Sequence, residues 1–232
     1  MCFSATASFT ISAALLPMGG WCINKAWQGD RHYLPLAAFP LAFGIQQAIE
    51  GMVWLGLDAH NSAMVATAAT GFIFFSHGFW LVWTPFMALM IETRSRFRQL
   101  WQIMILVGML LAAYFLVPLA LNPTWLTVTI QERSLTYILQ DLASHPILEA
   151  LGRSLYISTI LAPLLLVHQS AVQGLGWLVL GALVIVSRFF SAASVSVWCY
   201  FAAVASLYVG YLFSQDIAEE RSLPEERQTM NP

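Results

Sequence analysis

Charged side chains are what this 232-residue sequence has least of, at 9% of its residues, where an ordinary soluble domain carries about 25%. With 59% of residues hydrophobic and a mean hydropathy of +0.70, the balance points to an integral membrane protein rather than a soluble globule. The single lysine, Lys25, falls at one end of the first apolar run, so a retinal Schiff base within a span is excluded. Three cysteines, Cys2, Cys22 and Cys199, are too few for a disulfide scaffold. The first eight residues carry no Lys or Arg, so the start lacks the basic segment of a cleaved signal peptide, and the first apolar run is expected to be retained. No Ser-His-Asp arrangement, phosphate-cradling glycine loop or nucleotide motif occurs. The Lys and Arg residues sit at proposed helix ends, in loops or in the tail, which gives no basic surface for nucleic acid.

What is present is apolar length. About 20 apolar residues cross a hydrocarbon core, and such runs lie at 5–24, 33–57, 63–91, 99–121, 154–168, 172–190 and 192–214. The expected fold is therefore all-α: a bundle of seven transmembrane helices over residues 1–214, with a polar and disordered cytoplasmic tail at 215–232. The fifth and sixth runs are short or closely spaced and could instead pair as a helical hairpin. Orientation follows from the cations, which are in excess on the cytoplasmic side. With the N terminus outside, Lys25, Arg31, Arg94, Arg96, Arg98, Arg221 and Arg227 share one side and Arg133, Arg153 and Arg188 the other, which favours N-out and C-in in a bacterial-type inner membrane. The Arg94–Arg98 cluster reads as a topology signal.

Between the fourth and fifth helices, residues 122–153 form an external cap loop. Trp125–Ile130 and Ser134–Ile138 alternate as strands do, predicting a small β-hairpin, and Leu139–Leu151 suits an interfacial helix. A lone hairpin is marginal in water, so this one is expected to pack down over the outer mouth of the bundle. Pro40 and Pro85 fall inside the second and third helices, where proline removes a backbone hydrogen bond and kinks the helix.

Polar residues inside the spans mark the candidate site. Glu50 lies within an apolar run, and an intramembrane carboxylate is costly enough to face the bundle interior. Gln46, Glu50 and Trp54 share one helical face at i, i+4 and i+8, with Gln47 beside them. Glu50 falls about 10 Å inward from the outer helix end. On the third helix His77, Trp80 and Thr84 form a second stripe, with Trp83 close by, and His77 is the one histidine of five inside a span. The seventh helix adds Ser191, Ser194, Ser196, Trp198 and Cys199; its serines are expected to serve close helix approach. Gln46, Gln47, Glu50, Trp54, His77, Trp80, Trp83, Trp198 and Cys199 thus outline an outer-leaflet polar cavity for a small molecule, proton or ion. The plainer role for Glu50 is a hydrogen bond fastening its helix to a neighbour. Cys2, Glu50, His77 and Cys199 carry atoms suited to a metal, so a metal-dependent or thiol-using membrane enzyme is an alternative, although no two of them stand at ligand spacing. A structural partner in a larger membrane complex, and oligomer formation, also fit. The sequence names no cofactor.

The opening Met-Cys-Phe-Ser-Ala, the run Gln46-Gln47-Ala-Ile-Glu50-Gly-Met-Val-Trp54, the Trp80-Leu-Val-Trp83-Thr-Pro85 element and Ser196-Val-Trp198-Cys199 together resemble a bacterial family of multi-pass membrane proteins with no assigned function. That family reads Trp-Pro where this chain has Trp80-Leu81, and is not associated with a histidine at position 77. The resemblance therefore directs attention to Cys2, Glu50, Trp54, Trp198 and Cys199. Removal of Met1 would free a Cys2 amine and thiol for a soft metal or for nucleophilic attack. A Cys2–Cys199 disulfide would need the first residues to dip into the bundle.

Overall fold

The computed structural model describes residues 4–131, 134–139, 146–189 and 194–215. Helix α1 (Ala5–Gln28) opens at Ser4, whose side chain accepts from the Ala7 N–H and caps the first turn. A 3-10 turn, Arg31–Tyr33, leads into α2 (Leu34–Ala37) and α3 (Phe39–Asp58). The expected kink at Pro40 becomes a break at Ala38, because Pro35 and Pro40 both stand in the first turn of a helix, where a missing N–H costs nothing. Helix α4 (Ser62–Phe74) passes through a π turn, Phe75–Phe79, into α5 (Trp80–Ile91), and α6 (Ser95–Leu121) follows. After the short turn Pro123–Trp125, strands β1 (Leu126–Gln131) and β2 (Ser134–Leu139) pair antiparallel, with Leu126 opposite Leu139 and Gln131 opposite Ser134. Helices α7 (Pro146–Leu166), α8 (Ser170–Phe189), α9 (Ser194–Ala205) and α10 (Leu207–Ser214) follow.

Six helical segments among the described residues are long and apolar enough to cross a membrane: Ala5–Gln28, Arg31–Asp58, Ser62–Ile91, Ser95–Leu121, Ser170–Phe189 and Val195–Ser214. The apolar part of α7, Ala150–Leu166, is shorter. Where the sequence suggested an interfacial helix over Leu139–Leu151 followed by a span from 154, the structure ends β2 at Leu139 and runs one continuous helix from Pro146. Continuing a helix avoids a second pair of unsatisfied helix ends. Residues 132–133 and the tail beyond Gln215 lie outside the described residues.

Small residues set how closely the helices approach. The buried stripe of α1, Ser8, Ser12, Leu15, Gly19, Cys22 and Ala26, lies against α3. A side chain at Gly19 would run into the Leu41 backbone, and one at Gly108 of α6 into the Leu81 carbonyl of α5. Such contacts supply van der Waals packing where lipid leaves no hydrophobic driving force between helices. The hairpin docks on α4 and α9: Leu135 is fully buried, and Tyr137 stacks on Phe72 with ring centroids 4.5 Å apart. That burial supplies the stability an isolated two-stranded ribbon lacks.

At the end of the bundle away from the hairpin, the turn between α5 and α6 carries a buried acid. The Glu92 carboxylate accepts from the Thr93 N–H at 3.1 Å, the Arg94 N–H at 3.0 Å, Arg94 Nε at 2.9 Å, Arg94 Nη2 at 2.8 Å and the His168 N–H at 3.3 Å. Arg94 Nη2 also donates to the Leu166 carbonyl at 2.8 Å, so the α5–α6 turn grips the α7–α8 turn. Arg98 Nη1 closes the loop on the Leu89 and Glu92 carbonyls at 2.8 and 2.9 Å. Burial alone would raise the Glu92 carboxyl, but the Arg94 side-chain and backbone hydrogen bonds, the Arg94 charge and the His168 N–H outweigh it and hold it down at about 2.

Candidate functional site

The polar stripe of α3 bonds to two neighbouring helices. Gln46 Oε1 accepts from the Trp80 indole N–H of α5 at 2.7 Å. Glu50, fully buried, accepts on one oxygen from Gln47 Nε2 at 3.1 Å and on the other from the Ser196 hydroxyl of α9. Trp54 leaves this group: it packs with Val53, Ala68, Ala69 and Leu135 beneath the hairpin. The carboxyl of Glu50 is thus held by neutral donors and joins α3 to α9. Ser196, expected only to let helices approach closely, is a bonding partner of the acid. The fixed backbone spacing that puts Gln46 and Glu50 on one face also separates them, so one meets α5 and the other α9.

His77 goes elsewhere. It lies in the π turn, its Nδ1 is 2.9 Å from the Ser76 hydroxyl, and its ring meets Phe115 of α6 at 4.8 Å and Tyr156 of α7 at 5.4 Å. The π turn explains the nearby tyrosine. The Trp80 N–H reaches back to the Phe75 carbonyl, and where pairing returns to ordinary α spacing one carbonyl is passed over. The Tyr156 hydroxyl donates to the Ser76 carbonyl at 2.6 Å and fills that gap. Trp83 turns toward the break between α2 and α3, donating to the Pro35 carbonyl at 3.0 Å and stacking on Phe79.

Beside this network lies a small cavity. Its lining includes the aromatic side chains Phe39 and Phe43 of α3, Trp80 of α5 and Trp198 of α9, with the Phe43 and Trp80 rings stacked at 3.9 Å. It also includes the aliphatic side chains Ile160 and Leu164 of α7 and Leu175 and Val179 of α8. Tyr156, Thr84, Cys199 and Ala202 complete it. The sequence led us to expect a polar, outer-leaflet cavity around Glu50. Gln46, Gln47 and Glu50 are not among the residues that line this cavity, and the lining reaches Phe39 at the start of α3 and Leu164 near the end of α7. Gln46 Oε1, Gln47 Nε2 and both Glu50 oxygens are hydrogen-bonded, while Gln46 Nε2 and Gln47 Oε1 are buried without a partner.

Of the nine expected site residues, Trp80, Trp198 and Cys199 line the cavity, Gln46, Gln47 and Glu50 form a network outside its lining, and Trp54, His77 and Trp83 belong to other surroundings. Among the described residues no three His, Cys, Asp or Glu side chains converge as a metal site would need; Cys2, the proposed fourth ligand and disulfide partner, lies outside them. Cys199 is buried with a free thiol. Tyr156 and Glu92 went unforeseen. A tyrosine amid the apolar fifth run, and an acid two residues before an arginine at a span end, were the signals available.

A family model matches residues 1–224, nearly the whole chain. The chain belongs to DUF6629, a family of unknown function. No curated protein and no solved structure matches it. DUF6629 therefore brings no substrate with it, and the chemistry of this member rests on its own geometry.

Proposed function

We propose that this chain is a seven-span protein of a bacterial-type inner membrane, N terminus outside and C terminus in the cytoplasm, that takes a small, mainly apolar molecule into the cavity between α3, α5, α7, α8 and α9. The observation that carries the reading is the cavity itself, lined mainly by aromatic and aliphatic side chains, with Gln46, Gln47 and Glu50 outside its lining. Ligand sites are mostly apolar concavities between helices, with few polar groups nearby. Glu50 fastens α3 to α9 and so fixes Trp198 and Cys199 in the wall; its oxygens are engaged rather than offered to an ion. The orientation rests on the excess of Lys and Arg at the inner helix ends.

Native mass spectrometry of the full chain from lipid nanodiscs tests the reading. The wild type is expected to retain an apolar molecule that Ala202→Phe, which fills the cavity, releases. Identical spectra from the two proteins, each without adduct, would contradict it.

A further inference from the structure

Helix α7 is fastened in two different ways along its length. Before Pro163 it is tied to its neighbours inside the bundle: the Tyr156 hydroxyl donates to the Ser76 carbonyl at 2.6 Å, and Thr84 Oγ1 of α5 donates to the Thr159 carbonyl at 3.3 Å. That carbonyl needs an outside donor because Pro163, four residues on, has no N–H to give it. Thr84 also donates to the Trp80 carbonyl at 2.8 Å, so one proton serves two acceptors and the bond to Thr159 is the longer. At Pro163 the helix is therefore short of a backbone bond, and a proline inside a helix is where it bends.

After Pro163 the attachment changes. Gly176 of α8 lies so close to Leu164 that a side chain there would run into the Leu164 carbonyl, and Gln173 Nε2 donates to the Val167 carbonyl at 2.9 Å. The end of α7, the turn and the start of α8 thus form one packed piece. Two hydrogen bonds join it to the Glu92 clamp: Arg94 Nη2 to the Leu166 carbonyl at 2.8 Å, and the His168 N–H to the Glu92 carboxylate at 3.3 Å. Among the described residues no other hydrogen bond involving a side chain links residues 164–189 to the rest of the protein. The same piece brings Leu164, Leu175 and Val179 to the cavity lining.

We infer that the end of α7 beyond Pro163, the α7–α8 turn and the start of α8 act as one gate to the cavity, hinged at Pro163 and latched to the α5–α6 turn by Glu92 and Arg94. What the gate serves rests on the proposed binding of an apolar molecule, but its motion is measurable without any ligand.

Two buried free thiols report on different events. Cys199 lines the cavity, and Cys22 belongs to the face of α1 that lies against α3. Maleimide labelling of the full chain in nanodiscs is followed by intact mass in two backgrounds: Cys2→Ser with Cys22→Ala leaves Cys199, and Cys2→Ser with Cys199→Ala leaves Cys22. Glu92→Gln removes the charge that holds the latch. It should speed Cys199 labelling about ten- to hundredfold, the range for a lost hydrogen bond to a charged group, and Cys22 labelling far less. Pro163→Ala returns an N–H to the Thr159 carbonyl and should slow Cys199 labelling about two- to tenfold, the worth of one net hydrogen bond. Arg94→Lys keeps the Glu92 charge but loses the fork that also reaches Leu166, and takes the place of Glu92→Gln if that variant folds poorly. Equal acceleration of Cys199 and Cys22 would make the clamp a support of the whole fold and overturn the gate. So would a Cys199 rate unchanged by the latch variant or by the hinge variant. Whether the cavity binds an apolar molecule is decided separately, by the Ala202→Phe comparison.

Discussion

Two buried glutamates in one chain are held in opposite ways. Glu92 sits at a turn and is met by a guanidinium and three backbone N–H groups, and Glu50 sits mid-helix and is met by one amide and one hydroxyl. The turn provides free backbone donors, because helix ends leave N–H groups unpaired. A helix interior provides none, so every partner of Glu50 must be a side chain. The first arrangement holds a full negative charge and clamps two turns. The second joins two helices through neutral donors.

The contrast predicts a graded series. Arg94→Met should give the largest fall in melting temperature, since it strips Glu92 of its counter-charge and cuts the link to Leu166. Acid should act on the same clamp. A carboxyl held at about 2 instead of its ordinary 4.5 adds stability that is complete above 4.5 and disappears as pH falls toward 2. Melting curves between pH 6 and pH 2 should therefore fall steeply in the wild type and less steeply in Arg94→Met. A mutant curve as steep as the wild-type one would remove the clamp from the explanation.

Ser196→Ala comes next. It leaves one buried Glu50 oxygen without its donor, at a cost of about 1–3 kcal/mol, and loosens α9 together with the hairpin docked on it; chemical denaturation with hydrogen exchange across β2 measures both. Tyr156→Phe removes a single hydroxyl from the Ser76 carbonyl and should cost about 0.5–1.5 kcal/mol. If Tyr156→Phe proved more damaging than Ser196→Ala, the ranking of the two joints would be reversed. Arg96→Ala belongs last. Arg96 is exposed between the two clamp arginines, and its loss should change stability by less than about 0.5 kcal/mol.

Much of this architecture is legible in the sequence, for physical reasons that also mark where legibility ends. The long apolar runs and the alternating strands report burial, so the helices and the hairpin are read close to where they form. The break at Ala38 was read as a kink because the pattern shows a proline but not which turn of a helix it occupies. Spacing along α3 puts Gln46 and Glu50 on one helical face but does not show the helix each one meets, since that depends on helix rotation. His77 illustrates the same limit: one extra residue in the π turn rotates everything around it, and the ring meets Phe115 and Tyr156. The arginine cluster reads as a topology signal, yet Arg94 and Arg98 are also structural fasteners, a role visible only once Glu92 and Leu166 are brought together in space.

The most direct measurement is a saturation isotherm for benzene on the full chain in nanodiscs, wild type against Ala202→Phe. One saturable site per wild-type chain, absent from the filled variant, is the predicted result. Partitioning that is linear and equal in the two proteins would contradict the claim that the space beside Glu50 is a binding site.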